Sequence, residues 1–228
     1  LDPQLIKEDI ECGNPGRVEI TNVPAGYEYS LNSATGPFQT DPFFDTKQFQ
    51  LTSYLESNWV HIKQEFYKIQ QEKLIDWPEK NLYNQGWKIF SLYAFKNKNK
   101  DNCLLCPQTT QLIEKIPNIV SAGFSCLSPG TQISPHSGFS GYSELILRCH
   151  LGLIIPDKCA IRVGNQTQIW QEGKCLIFDD SVEHEAWNLG KFNRIILLID
   201  FIKPNIKNHF VFKKSNELDT SLQNFIVN

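Results

Sequence analysis

The stretch WQEGKCLIFDDSVEHEAW, Trp170 to Trp187, carries the pattern from which the fold can be read. Glu172-Gly173 is a turn signal, and the apolar run that follows, 174–178, leads straight into charge. A short apolar run bounded by turn residues reads as a buried strand. Asp179, Asp180, Glu183 and Glu185, with Glu172 just upstream, crowd around one histidine, His184. Two readings are open: a solvated loop, or a metal ligand held by acidic neighbours.

The same cadence extends outward. Further runs at 122–127, 144–155, 159–163, 167–170 and 194–202 read as strands. Ser128-Pro-Gly130, Pro156-Asp-Lys158 and Gly164-Asn165 punctuate them as turns. Many short strands with such turns predict a mainly β fold, a double-stranded β-helix of jelly-roll or cupin-like type, with flanking helices. Upstream, Leu51, Leu55, Trp59, Ile62, Phe66 and Ile69 recur at helical spacing and predict an amphipathic helix. Residues 86–95 alternate as a strand, and Pro107 with Thr109-Thr110 opens a helix over 108–115 that Pro117 ends. Residues 1–42, rich in proline and glycine, predict an N-terminal arm or lid before a domain at 43–204 and a tail at 205–228.

With 228 residues and 41% hydrophobic content, the chain can bury one sizeable core. A net charge of −3 and a pI near 6.0 give no drive toward nucleic acid. The one basic cluster, Lys96-Asn-Lys-Asn-Lys100, reads as a solvated loop. No apolar run reaches the roughly 18 residues that would span a bilayer. Seven cysteines form an odd set with one close pair, Cys103 and Cys106, and no zinc spacing. They read as free or structural thiols in a reducing compartment, which together with the absent spanning run leads to a cytoplasmic expectation. Composition leaves the oligomeric state open.

Two histidines sit at strand margins: His136, in Ser134-Pro-His-Ser-Gly138, and His184. In a jelly roll the intervening strands can bring both to one mouth of the barrel. An imidazole pair there suits iron, zinc, copper or nickel and leaves coordination positions open for co-substrates. Arg194 opens the apolar strand 194–202, where it is either at the wet end or paired with a carboxylate. A small dicarboxylate ligand would supply such a partner.

Several words then occur in order: Phe124-Ser-Cys-Leu-Ser-Pro-Gly130, Ser134-Pro-His-Ser-Gly138, Arg148-Cys-His-Leu-Gly-Leu-Ile-Ile-Pro156, Ile161-Arg-Val-Gly164 and the opening stretch through Trp187. Over 43–204 the chain resembles the aspartyl/asparaginyl β-hydroxylase family of iron- and 2-oxoglutarate-dependent dioxygenases. Cys106-Pro107 and Asp200-Phe-Ile-Lys-Pro204 are closer to its bacterial members. The resemblance implies that His136 and His184 bind Fe(II) and that Arg194 clamps the distal carboxylate of 2-oxoglutarate. It further implies that Arg148 and His150 hold 2-oxoglutarate and border the substrate, and that Ser125 and Trp87 belong to the cofactor pocket.

The commonest iron oxygenase triad has a carboxylate two residues after the first histidine. Here, as in the family, that position is a glycine, Gly138. The resemblance therefore leaves two protein ligands, with Asp180 orienting iron-bound water from outside the coordination shell. A departure particular to this chain is the stretch between His136 and Arg148, where residues 139–144 lengthen the family's spacing.

The activity implied is insertion of one oxygen atom from O2 into an unactivated C–H while 2-oxoglutarate becomes succinate and CO2. The expected position is the β-carbon of an Asp- or Asn-type residue in a peptide or amino-acid substrate. The alternatives are a fatty-acyl hydroxylase of the lipid A type, against which the missing membrane anchor weighs, and a hydroxylase of free or carrier-bound amino acids in natural-product assembly.

Overall fold

The structure is a computed structural model that describes residues 41–139 and 142–204. The tail expected at 205–228, and all but the last two residues of the arm expected at 1–42, lie outside the described residues. In chain order, β1 (Phe43–Phe44) precedes helix α1 (Gln50–Tyr67), then come β2 (Ile75–Asp76), β3 (Trp87–Ala94) and β4 (Asn97–Lys98). Two short helices follow, α2 (Lys100–Leu105) and α3 (Pro107–Ile113). The rest is strand: β5 (Ile119–Leu127), β6 (Thr131–His136), β7 (Ile146–Ile154), β8 (Cys159–Val163), β9 (Gln166–Gln168), β10 (Cys175–Asp179), β11 (His184–Asn188) and β12 (Arg194–Ile202).

The strands form two antiparallel sheets. The larger runs β1-β10-β7-β12-β5-β3-β2 with β4 beside β3, and the smaller runs β6-β11-β8-β9. The expected double-sheet β fold is therefore present, with its helices on the outside of one sheet.

Strand alternation divides the large sheet into two functional faces. On β7 the odd positions Leu147, Cys149, Leu151 and Leu153 join the core beneath α1, as do Ile195, Leu197, Ile199 and Phe201 on β12. Leu51, Leu55, Ile62 and Phe66 of α1 pack onto this face and supply the apolar stripe that holds the helix there. Burying each such side chain contributes roughly 2 kcal/mol. The even positions of β7 and β12, among them Arg148, His150, Arg194, Ile196, Leu198 and Asp200, face the smaller sheet. Ile133, Ile161, Val163 and Ala186 meet them from that side. All the polar exceptions on these two strands thus point into one interior.

Three expectations change. The stretch 96–100, read as a solvated loop, keeps its lysines exposed or paired at the surface but folds as a hairpin. Phe95 and Lys96 turn with φ of 48° and 65°, and the Asn99 side chain accepts a hydrogen bond from the Asn102 amide to cap α2. The strand read at 167–170 ends at Gln168, and Trp170 instead fills the interior. The histidine margins are themselves strands, β6 and β11, too short and polar to show an apolar run. Among the described residues no helix is long and apolar enough to cross a membrane.

Candidate active site

His136 ends β6 and His184 begins β11, and the ladder between these strands sets them directly opposite each other. Their ring centroids are 4.3 Å apart. Each ring is held by a carbonyl two residues upstream: His136 Nδ1 lies 2.8 Å from the Ser134 oxygen and His184 Nδ1 2.8 Å from the Val182 oxygen. A carbonyl only accepts, so Nδ1 carries a hydrogen in both rings, and Nε2 is the nitrogen left to face an ion. That is the tautomer and the outer support a metal-binding imidazole requires. Burial pushes the pKa of His184 down to about 3, with His136 adding to the effect and the Val182 carbonyl opposing it. His184 is therefore neutral, as a ligand must be.

Asp180, on the turn between β10 and β11, is 1% exposed, and its Oδ1 lies 3.5 Å from His184 Nε2. A Cβ placed on Gly138 would lie 2.0 Å from Asp180 Oδ2. Position 138 is bare because the carboxylate of Asp180 already fills the space its side chain would need. The Gly138 amide also donates to the Asp180 carbonyl at 2.9 Å, locking the two segments together. Burial raises the Asp180 pKa, and the Arg148 guanidinium, with its NH1 2.5 Å from Oδ1, opposes that rise. Among the described residues no set of three or more histidine, cysteine or carboxylate side chains converges as ligands. The imidazole pair is what this interior offers an ion, with Asp180 alongside.

Behind the histidines the space between the sheets is lined by Ser125, His150, Trp170, Arg194 and Trp87. Arg194 is 2% exposed, lies over the Trp170 ring at 4.9 Å and, among the described residues, has no carboxylate beside it. Among the described residues its Nε has no hydrogen-bond partner, and burial lowers its pKa to about 10, which leaves it charged. Trp170 Nε1 donates to His150 Nδ1 at 3.3 Å, so His150 carries its hydrogen on Nε2, which also lacks a partner. Burial, with Arg194 next, drives the His150 pKa well below its usual value. Trp87 Nε1 donates to Ser125 Oγ at 3.2 Å. Buried donors without acceptors are costly, and here they face one enclosed space. A carboxylate-bearing ligand fits this donor set.

Arg148 is placed differently from Arg194. Its Nε and NH2 donate to the two oxygens of Asp200 at 2.7 and 2.9 Å, while NH1 pairs with Asp180. Tyr142 donates its hydroxyl to Asp200 Oδ2 at 3.0 Å, and that hydroxyl also lies 3.1 Å from Ser121 Oγ. Asp200, Tyr142 and Trp170 join the expected residues. Asp200 had a visible signal, a lone carboxylate inside the nine-residue apolar strand β12. Tyr142 had none, because its partners lie on distant strands.

A second space opens beside the first and shares Trp87, His136, Arg148 and Leu198 with it. Its remaining walls are largely aromatic: Trp77, Tyr93, Phe95, Phe139 and Tyr142, over a floor of Ser121, Ala122 and Gly123. Trp77 stacks on Trp87 at 4.2 Å, nearly parallel. Glu79 stands at this groove, where burial raises its pKa and the Trp77 indole, donating at 3.1 Å, opposes the rise.

The chain is similar to several known proteins. It is 40% identical to an ornithine lipid ester-linked acyl 2-hydroxylase of Rhizobium tropici over 187 residues, 77% of this chain and 65% of that one. It is 32% identical to the human aspartyl/asparaginyl beta-hydroxylase over 240 aligned positions, 88% of this chain and 31% of that one. The chain thus spans less than two-thirds of either relative. Among solved structures, a prolyl-4-hydroxylase from Pseudomonas putida aligns with a TM-score of 0.43 and 15% identity, covering 67% of this chain and 87% of that one. The profile of the family described as Aspartyl/Asparaginyl beta-hydroxylase matches residues 56–204, well over half the sequence. By that match, this chain belongs to the aspartyl/asparaginyl beta-hydroxylase family.

Proposed function

We propose that this protein is an Fe(II)- and 2-oxoglutarate-dependent oxygenase that hydroxylates the acyl chain of a lipid-type substrate. His136 and His184 would hold the iron through their Nε2 atoms, with Asp180 accepting a hydrogen bond from iron-bound water. Arg194 would pair with one carboxylate of 2-oxoglutarate, and His150 Nε2 and Ser125 Oγ would satisfy its other oxygens. Bound iron, with 2-oxoglutarate and O2, supplies the oxidising power that converts C–H to C–OH as 2-oxoglutarate is split to succinate and CO2. The chain's own residues orient both substrates and keep water out of the space between the sheets.

The observation that carries the acyl reading is the groove beside His136. Its walls are aromatic, and among the described residues lining it the one arginine, Arg148, is already bound by Asp180 and Asp200. An Asp side chain entering there would meet Glu79 and two carboxylates with no free cation to pair with, which disfavours a charged carboxylate. A methylene chain needs no such partner and gains from burial. The acyl-hydroxylating relative from Rhizobium points the same way.

The test is succinate release by iron-loaded protein given O2, 2-oxoglutarate and either an acyl ester or an Asp-containing peptide. The acyl ester should stimulate release and gain one oxygen atom by mass spectrometry, and a His136→Ala protein should do neither. Stimulation by the peptide alone would overturn the acyl assignment.

A further inference from the structure

Resting on the acyl reading above, we infer that Tyr142, with Phe95 across from it, is the end stop of the groove and sets the longest acyl chain accepted. Tyr142 lies in the lengthened stretch between His136 and Arg148, and it is 3% exposed. Its ring meets Phe95 edge-on at 5.2 Å and 64°. Both sides of this contact are fixed to one serine: the Phe95 amide donates to Ser121 Oγ at 3.2 Å, and the Tyr142 hydroxyl lies 3.1 Å from the same atom. The bond from Tyr142 to Asp200 adds a third tie. Two aromatic rings anchored in this way form a wall that does not swing aside when a longer chain presses on it.

The wall is also in the right place. Arg148, Asp200 and Ser121 are cross-strand partners on β7, β12 and β5, and β3, which ends just before Phe95, is the next strand over. At the usual strand separation the backbones of β7 and β3 lie roughly 14 Å apart; the Tyr142 hydroxyl, which shares Asp200 Oδ2 with Arg148 NH2, stands in the near part of that distance, and Phe95 closes the far part. A chain whose reacting carbon lies by His136 would pass over Ala122 and Gly123, beside the Tyr142 ring that covers Ser121, until it met Phe95. The small floor residues give it room, and the rings end it.

The experiment uses iron-loaded full-length protein and saturated acyl esters that differ only in chain length, in detergent micelles. The wild-type protein should lose kcat/KM abruptly past one length. Tyr142→Ala and Phe95→Ala should move that break to longer chains, gaining about fourfold for each further methylene buried. Tyr142→Phe keeps the ring and should keep the break. If Tyr142→Ala does not fold, as judged by its melting curve, Phe95→Ala carries the test. A break unmoved in the alanine variants that fold, or absent from the wild type, overturns the end stop while leaving acyl hydroxylation standing. Failure of the wild type to oxidise any acyl ester removes both.

Discussion

Arg194 is a charged group in the interior whose expected partner is a ligand. Its guanidinium is buried against Trp170, and among the described residues its Nε has no hydrogen-bond partner. Arg194→Met should therefore raise the melting temperature of the ligand-free protein, a gain of about 1–3 kcal/mol, because an uncompensated buried charge is removed. The same change should weaken 2-oxoglutarate binding by about 100-fold or more in a calorimetric titration. A lower melting temperature together with unchanged affinity would show that the arginine is structural. Gly138 and Asp180 give a second test at this scale. Asp180→Ala should abolish turnover, and adding Gly138→Asp should restore part of it, since the space emptied by one carboxylate then receives the other. No recovery, with iron still bound, would mean that Asp180 acts by more than its place. That His136, His184 and Arg194 line one interior was legible in the sequence because the words around them are local. The commitment of Arg148 to Asp200, and of Tyr142 to both Asp200 and Ser121, was not, because those partners meet only through strand pairing.

At the scale of elements, α1 fastens to α3 through one carboxylate. Glu65, on α1, accepts hydrogen bonds from the Gln108 and Thr109 amides and from Thr109 Oγ1, capping α3 from outside its own segment. Glu65→Ala leaves these donors without an acceptor and should cost about 3 kcal/mol of stability in urea denaturation, while succinate release by the folded enzyme stays near wild type. An effect under 0.5 kcal/mol would mean that water replaces the cap. The long strands and α1 were readable from their periodicity, since each buries a full apolar face. Strand β6 was not: with Ser134 and Pro135 it shows no apolar run, and only its pairing with β11 makes it a strand. The cap on α3 was equally hidden, because Glu65 is an unremarkable helix glutamate until the fold brings position 108 to it.

Across the whole molecule, the interior between the sheets holds groups kept neutral by burial, and this shapes the response to acid. His150 is neutral when folded because burial holds its pKa well below 6.5, whereas the unfolded chain takes up a proton near 6.5. The unfolded state thus binds more protons, so this contribution is present above pH 6.5 and lost as pH falls, by up to about 1.4 kcal/mol per unit. The metal-free protein should melt at lower temperature at pH 5 than at pH 7, and His150→Gln should make that dependence shallower. An unchanged slope would place the acid sensitivity elsewhere. The fold class and the meeting of His136 with His184 could be read from the chain alone, but the substrate proposed above could not. That proposal rests on Arg148 being held by Asp180 and Asp200, which is a property of two strands and a turn together. The central claim is most directly tested by competition: equal amounts of an acyl ester and an Asp-containing peptide, offered together with Fe(II), 2-oxoglutarate and O2, with both products read by mass spectrometry. The acyl chain should gain the oxygen and the peptide should remain unchanged; oxygen found in the peptide, with the acyl chain untouched, would contradict the account.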